Sequence, residues 1–464
     1  MTGNFQVTDT GRAFSLSRRG VIGCATAMLM LAHVRKLRAA TSTDPREAIR
    51  DAFLFGFPVY EMVRTKYRAY RRALDVGRPA INFLAHRRVL ADHRHRNVTT
   101  PNNDTLYAGG WLDLRDGPVA VTIPPLDRYH SLALLDLSTD NFAVLRHDPE
   151  EGGRYLIVGP EWRGPFPEDR AIVRARTNDV WAIWRVLVRG TDDLDAALSA
   201  QTRIALAPVG ERTAQTDWDM PLPVDSRDPE NLLAIFNAAL ARAPLPSGWI
   251  DRLAPLAHVG LDPRGAGFGG LDGELQVMWR TLLPQLHDEI SGGIAATGTS
   301  DRGWLYPAPG MGDFGEDDLY RARVALGGLG ALPREEAIYI SSTEDAGGVA
   351  LDGERRYRLR LPRDIPVDAF WSMSMYRIEP GGRLFFVENP LDRYAIGSFT
   401  PGAGNTGEGP IDIRIQTDQP ADANSLWLPA PDGPFRLVFR AYRPRGTLLD
   451  GGFRLPAIEP LMPS

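Results

Sequence analysis

Cysteine occurs once in the 464 residues, as Cys24. No disulfide can close within the chain, and no metal can be held by two or more of its thiolates. Lysine is nearly as scarce. Of the 53 basic residues only Lys36 and Lys66 are lysines, and the rest are arginine. A lysine Schiff base in the body of the protein would have to use Lys66. Histidine is absent after His287, so the C-terminal part alone cannot build a histidine triad or a histidine metal site. A basic excess is also missing. The net charge is -5, which argues against a nucleic-acid partner. Neither a G-x-S-x-G elbow nor a P-loop lysine motif is present. "GMGDFG", Gly310–Gly315, matches a dinucleotide fingerprint in letters, but no strand of a βαβ unit leads into it. What remains is a globular composition, 43% hydrophobic and long enough for two or three domains.

The first forty residues read as an address. Arg18 and Arg19 form a twin-arginine pair after Ser17, an apolar run extends from Val21 to Ala32, and Ala39 and Ala40 offer a cleavage site. The run falls short of the roughly 20 apolar residues a membrane span needs. "VIGC" is discounted as a lipidation signal because its cysteine does not end the run. Residues 1–40 are therefore expected to be an export signal. The protein would be periplasmic or extracellular, touching the membrane only through this segment.

The body alternates between two patterns. Asp44, Pro45 and Glu47 form a helix start, and Phe53, Phe57, Tyr60 and Val63 continue it at helical spacing. Pro58 is expected to kink or break that helix. From about Gly109 to Val188, short β-rich runs are separated by turns. Helical periodicity returns from Glu230 to about Gly293 and again near Glu316. The remainder is β-rich. The expected fold class is α+β, mainly β: two antiparallel β-sandwich or jelly-roll-like domains with an intervening helical region. The boundaries fall at 41–215, 216–330 and 331–464. "VTIPPLDRYHSLALLDL" and "LRLPRDIPVDAFWSMSMY" both run strand, proline turn, then a strand with an internal serine, which hints that the two β domains are related.

The chemistry-bearing candidates are few. "NNDT", Asn102 to Thr105, sits at the mouth of an apolar, aromatic strand. Asp104, Asp113, Asp136 and Asp140 all lie in or beside apolar segments. A carboxylate there can have a raised pKa and serve as a general acid or base. It can equally close a turn. His86, His93 and His95 could in principle gather a metal, but Arg94 and Arg96 would repel a cation, and solvated loop histidines are the simpler reading.

"TTPNNDTLYAGGWLDL", "DRYHSLALLDLSTDNFA", "YLIVGPEWRGPFP" and "WAIWRVLVRGTDDL" resemble the family called domain of unknown function 1254. "FGEDDLYRARVALGGLGA", "YRLRLPRDIPVDAFWSMSMY", "NPLDRYAIG" and "NSLWLPAPDGPFRLVFRAYRP" resemble its usual companion, domain of unknown function 1214. Together the blocks cover nearly all of residues 45–460. The resemblance implies an N-terminal β domain, a helical middle and a C-terminal jelly-roll-like domain, and no established reaction. Two departures stand out: "VLRHDPEEGG" replaces a glycine- and threonine-rich stretch, and His93 and His95 enrich a loop usually poorer in histidine.

The recurring block of the family includes the positions of Asn102, Asp104, Thr105, Tyr107, Trp111 and Asp113. Aromatic walls with a few convergent polar groups suit a small-molecule pocket. Asp104 is the expected general acid or base, with Asn102 and Asn103 orienting or polarising a carbonyl or hydroxyl. Thr105, Tyr107, Trp111, Asp136, Trp371, Tyr376, Asn389 and Arg393 are the expected ligand-binding residues, with Ser372 among the C-terminal set. Hydrolysis, isomerisation or elimination of a small apolar or oxygenated molecule would fit without a cofactor. The alternative is a non-catalytic ligand-binding or envelope-assembly protein. A metal enzyme using His86, His93 and His95 is the third reading, and self-association into a homo-oligomer is open.

Overall fold

Asp44 caps the first helix. Its side chain accepts a hydrogen bond from the Arg46 amide at 2.9 Å, with Pro45 at the helix start. The computed structural model describes residues 44–146, 151–210, 218–242, 245–293, 297–405, 407–422 and 425–462. The expected export signal lies outside these residues, as does His147. Helix α1, Pro45–Asp75, continues through Pro58, so the expected break does not occur. A mid-helix proline costs about 3 kcal/mol. Phe53, Phe57, Tyr60 and Val63 are all buried, and burial of each contributes about 2 kcal/mol. Packing therefore outweighs the proline.

Among the described residues six further helices follow: α2 (Leu194–Gln201), α3 (Pro229–Leu240), α4 (Ser247–Leu253), α5 (Gly273–Ser291), α6 (Asp318–Gly327) and α7 (Gly446–Leu449). Helix α1 packs on α3, α5 and α6, forming the helical layer. The approach to α3 is close at Gly56, where a Cβ would lie 2.1 Å from Phe236 Cε2. Among the described residues no helix is long and apolar enough to cross a membrane.

The N-terminal strands are β1 (Ala85–His86), β2 (Thr105–Asp113), β3 (Val119–Ile123), β4 (His130–Leu135), β5 (Asn141–Leu145), β6 (Gly153–Val158), β7 (Ala171–Arg174), β8 (Asp179–Leu187) and β9 (Ala205–Pro208). They form a five-stranded sheet in the order β1-β2-β8-β4-β5 and a four-stranded sheet in the order β7-β6-β3-β9. The C-terminal strands are β10 (Thr299–Asp301), β11 (Trp304–Tyr306), β12 (Ala337–Ser342), β13 (Arg356–Leu361), β14 (Val367–Ile378), β15 (Leu384–Phe385), β16 (Ala395–Gly397), β17 (Ile411–Gln416), β18 (Leu426–Pro429), β19 (Phe435–Pro444) and β20 (Glu459–Leu461). They form a seven-stranded sheet, β10-β11-β12-β19-β14-β15 with β16 on β14, and a four-stranded sheet, β18-β17-β13-β20. The chain is thus α+β and mainly β. Pairing is antiparallel apart from β6–β7 and β17–β18, which are parallel and depart from the purely antiparallel expectation.

Each β domain buries one apolar core between its two sheets. Leu112, Val121, Leu132, Ile157 and Trp184 belong to the first, and Ile340, Leu359, Trp371, Ile413 and Phe439 to the second. The repeated sequence pattern has a structural counterpart. Pro124 and Pro125 carry the chain from β3 in the outer sheet to β4 in the inner one, and Pro362 and Pro366 separate β13 from β14 in the same way. Proline ends a strand here because it has no N–H for the ladder. The second faces of the two larger sheets do not meet solvent. Trp111, Ala133 and Ile183 of one sheet, and Ala337, Phe370 and Tyr442 of the other, share a single core with the helical layer.

"GMGDFG" serves this assembly. Gly312 adopts φ +80°, and its carbonyl accepts from the Asn141 backbone amide at 2.7 Å and side-chain amide at 3.0 Å. The loop thereby docks β5.

Candidate functional site

The segment "NNDT" forms the entry to β2. Asn102 Oδ1 accepts from the Asp104 backbone amide at 2.8 Å, closing an Asx turn. Its Nδ2 donates to the Tyr442 hydroxyl at 2.7 Å, reaching the C-terminal domain. The residue is both a turn-former and a bridge. Asn103 points elsewhere and donates to the Ala91 carbonyl.

Strand register then assembles the rest. Tyr107 on β2 lies directly opposite Arg185 on β8, and Arg185 lies opposite Ser131 on β4. In the C-terminal sheet, Arg440 on β19 lies opposite both Tyr339 on β12 and Ser372 on β14, and Tyr442 lies opposite Phe370. Directly opposed residues share a face, with Cβ atoms about 5 Å apart. The two polar faces lie toward each other: Tyr129 of the first domain packs its ring 5.4 Å from Phe370 and 5.3 Å from Tyr442 of the second. The Tyr129 hydroxyl donates to Glu336 Oε1 at 2.6 Å.

Two guanidinium groups govern the electrostatics. Arg440 Nη1 donates to Ser374 Oγ at 2.8 Å, and its Nη2 donates to the Tyr376 hydroxyl at 2.8 Å and the Thr100 carbonyl at 3.1 Å. The Tyr376 hydroxyl donates to the Pro101 carbonyl. Arg185 Nη2 donates to the Gly330 carbonyl at 2.8 Å, while its Nη1 is buried with no hydrogen-bond partner. Both arginines are buried, at 5% and 4% exposure. A buried cation without a carboxylate partner creates a strong local demand for negative charge.

The titratable groups respond in opposite senses. Burial pushes the Asp104 carboxyl above its ordinary range, against the pull of the Ser372 hydroxyl and the Arg440 guanidinium. Ser372 Oγ and Asp104 Oδ2 are both buried without a well-formed hydrogen bond. Burial would also raise the Tyr107 phenol, but Arg185, the Thr105 hydroxyl, Arg440 and the Asn102 amide together outweigh it and bring its pKa below the usual value. Tyr129 is pushed well up by burial and by Glu336, Tyr442 well up by burial and Tyr107, and Tyr339 up by burial. Glu336 is raised by burial despite Tyr129 and Arg146. Tyr107, Tyr129 and Tyr339 each keep some accessible surface within this cluster.

Asn102, Asp104, Thr105, Tyr107, Ser372 and Tyr376 therefore come together, and the two β domains share one polar cluster. Other expected ligand residues lie elsewhere. Trp111 stacks on Trp181 at 5.8 Å, two pleats along β2 from Tyr107, or about 13 Å. Trp371 is adjacent to Ser372 and so faces the opposite side, stacking on Phe439 inside the C-terminal core. Asn389 closes a loop by accepting from the Leu391 and Arg393 amides, and Arg393 donates to the Trp427 carbonyl at 2.8 Å. Asp136 forms a separate pair with Asp140, which accepts from the Phe314 amide and from Arg321. Asp113 belongs to an ion-pair network with Arg115 and Arg242.

The three histidines have separate roles. His93 Nδ1 lies 2.8 Å from the Tyr394 hydroxyl and His95 Nδ1 2.9 Å from Asp92, while His86 is half-buried with its pKa lowered by burial and Arg88. Among the described residues, no group of three His, Cys, Asp or Glu side chains is placed to hold a metal ion.

Arg185, Arg440, Tyr129, Tyr339, Tyr442 and Glu336 were not among the expected site residues. A signal for them exists: in "WAIWRVLV" and "FRLVFRAYRP" a charged residue interrupts an otherwise buried strand, which is rare without a partner or a role.

Residues 81–208 match the family described as protein of unknown function (DUF1254), and residues 336–446 match protein of unknown function (DUF1214). The chain belongs to the two-domain DUF1254/DUF1214 family. The fold is similar to that of the VPA0106 protein from Vibrio parahaemolyticus, with a TM-score of 0.70 and 21% identity over 90% of this chain and 100% of that one. An uncharacterised protein from Burkholderia cenocepacia aligns with a TM-score of 0.42 and 12% identity, over 92% of this chain and 97% of the other. No curated protein matches the chain. Asp104, Tyr107 and Arg185 lie in the DUF1254 segment, and Glu336, Ser372, Arg440 and Tyr442 in the DUF1214 segment. The polar cluster is thus built by both family segments together.

Proposed function

We propose that this chain is an exported enzyme that relocates protons on a small oxygenated molecule held between the two larger sheets. The observation that carries the reading is the convergence of Asp104, Tyr107, Ser372 and Arg440 in one buried cluster, where burial raises the Asp104 pKa and Arg185 with its neighbours lowers that of Tyr107. Environments that push two pKa values apart create an acid and a base in one site. Asp104 would deliver a proton to a substrate oxygen, and Tyr107, once deprotonated, would accept one from carbon or oxygen. Isomerisation and elimination need this pairing directly. Hydrolysis would further require a nucleophile held against its base, so it ranks lower. The export assignment rests on Arg18, Arg19 and the apolar run that follows them.

One observation favours a second reading, in which the site binds its ligand without turnover. Asn102, Tyr376 and Arg440 already use hydrogen bonds to tie the two domains together, which suits a rigid receptor.

Native mass spectrometry of the mature protein, purified from its own export pathway, separates the two. Any small molecule released on denaturation is identified and returned to the protein in D2O. An enzyme of the proposed type incorporates deuterium or converts the molecule, and Asp104→Asn and Tyr107→Phe, shown folded by circular dichroism, lose that activity. A retained molecule that stays unchanged and unlabelled supports the receptor. Full activity in a folded Asp104→Asn protein removes Asp104 from the chemistry.

A further inference from the structure

Tyr107, Tyr129 and Tyr339 keep accessible surface where the two larger sheets face each other, beside a buried guanidinium. Arg185 is buried in β8, its Nη2 is committed to the Gly330 carbonyl, and its Nη1 has no partner. Among the described residues no carboxylate forms an ion pair with Arg185, in a protein where most other buried arginines, including Arg128, Arg242 and Arg321, have one. Arg440 differs. Ser374, Tyr376 and the Thr100 carbonyl take its terminal nitrogens. One guanidinium is thus free to bind, and the other sets the potential.

We propose that the space between the two larger sheets takes a small monoanionic carboxylate, anchored by Arg185 Nη1 and by the hydroxyls of Tyr339 and Tyr442, with Phe370 as the apolar wall. This rests on the site reading above and adds the class of its ligand.

The phenol geometry suits an anion. The Tyr442 oxygen accepts from Asn102 Nδ2 at 2.7 Å, which leaves its own hydrogen to donate. The Tyr339 oxygen accepts from the Leu332 amide at 3.5 Å, with the same consequence. Burial holds both phenols in the protonated, donating form. Phe370 stacks on the Tyr442 ring at 4.2 Å and 11°, so the donors sit against a buried apolar pair. A phosphate dianion would need more free cationic donors than the one Nη1 supplies. A neutral amide would offer Nη1 an acceptor without the added strength of a charged one. A planar carboxylate matches the donor set.

Isothermal titration calorimetry of the full chain with benzoate, acetate, benzamide and inorganic phosphate tests this. Benzoate or acetate should bind, and benzoate should bind about tenfold or more tightly than its neutral isostere benzamide. Arg185→Gln should abolish that preference, and Tyr339→Phe, which keeps the ring, should weaken benzoate severalfold. Benzamide binding as well as benzoate overturns the carboxylate assignment while leaving the pocket reading intact. Phosphate binding in preference to both carboxylates overturns it as well. Carboxylate binding unchanged in both variants moves the anchor away from Arg185 and overturns the proposal. No binding by any probe overturns the carboxylate assignment and counts against the inter-sheet space as a ligand site.

Discussion

The Asn102 side-chain amide donates to the Tyr442 hydroxyl at 2.7 Å, across 340 positions of sequence. The same side chain closes the turn that starts β2. Local turn formation and domain docking therefore depend on one residue. Asn102→Ala should remove both interactions and leave a buried phenol short of a partner. Such a loss costs about 1–3 kcal/mol, visible as a lowered denaturant midpoint. A double-mutant cycle with Tyr442→Phe should return a coupling of about 0.5–3 kcal/mol. Additivity of the two changes would show that the contact contributes nothing to docking.

Asp136 provides a pH prediction. It is fully buried, and burial and the neighbouring Asp140 push its pKa up to about 6. A carboxyl whose folded-state pKa is raised favours folding at low pH. That contribution is complete below about pH 4, the unfolded carboxyl range, and is lost as pH rises through about 6. Asp136→Asn keeps an oxygen to accept from the Ser138 and Asp140 amides, as Asp136 Oδ1 does now. It should stabilise the protein at pH 7 by about 2–3 kcal/mol and flatten the urea midpoint between pH 4 and 6. An unchanged pH profile in this variant would place the titration elsewhere.

Gly56→Ala should destabilise the helical layer. Alanine is the better helix former by about 1 kcal/mol. Its Cβ would meet Phe236 at 2.1 Å, however, and Phe236 is fully buried. Overpacking typically costs about 1–3 kcal/mol and should exceed the helix gain. Thermal unfolding of Gly56→Ala measures the loss, and Phe236→Leu in the same chain should recover part of it.

Tyr107 should be visible in a tyrosinate absorbance titration. Burial opposes its ionisation, but Arg185, Thr105, Arg440 and Asn102 prevail and lower its pKa. One tyrosine should therefore ionise below the ordinary range of about 10. Tyr107→Phe should delete that phase, and Arg185→Gln should move it upward. An early phase that survives in Tyr107→Phe would belong to another phenol.

Much of the architecture was legible in the chain itself. Period-two runs separated by turns placed most of the long strands, and helical spacing placed α1, α3, α5 and α6, because these patterns report which face of an element is buried. Pro58 misled because its local penalty is smaller than the tertiary packing around Phe53 and Phe57. Asn102, Asp104 and Thr105 could be picked out because amides and a carboxylate at the mouth of an apolar strand are unusual in composition, and Tyr107 entered through the resemblance to the family block. Sequence could not separate Ser372 from Trp371. They are neighbours in the chain, and the pleat sends one to the shared polar cluster and the other to an apolar core. Nor could it pair Tyr107 with Arg185 or bring either toward Tyr442. Those meetings depend on strand register and on the docking of two sheets. The sequence by itself determined the α+β composition, the strand, proline turn, strand pattern in each domain, and the polar entry to β2. Only the tertiary structure decided that the two inner sheets share one polar cluster, because non-local pairing leaves no periodic trace in either partner.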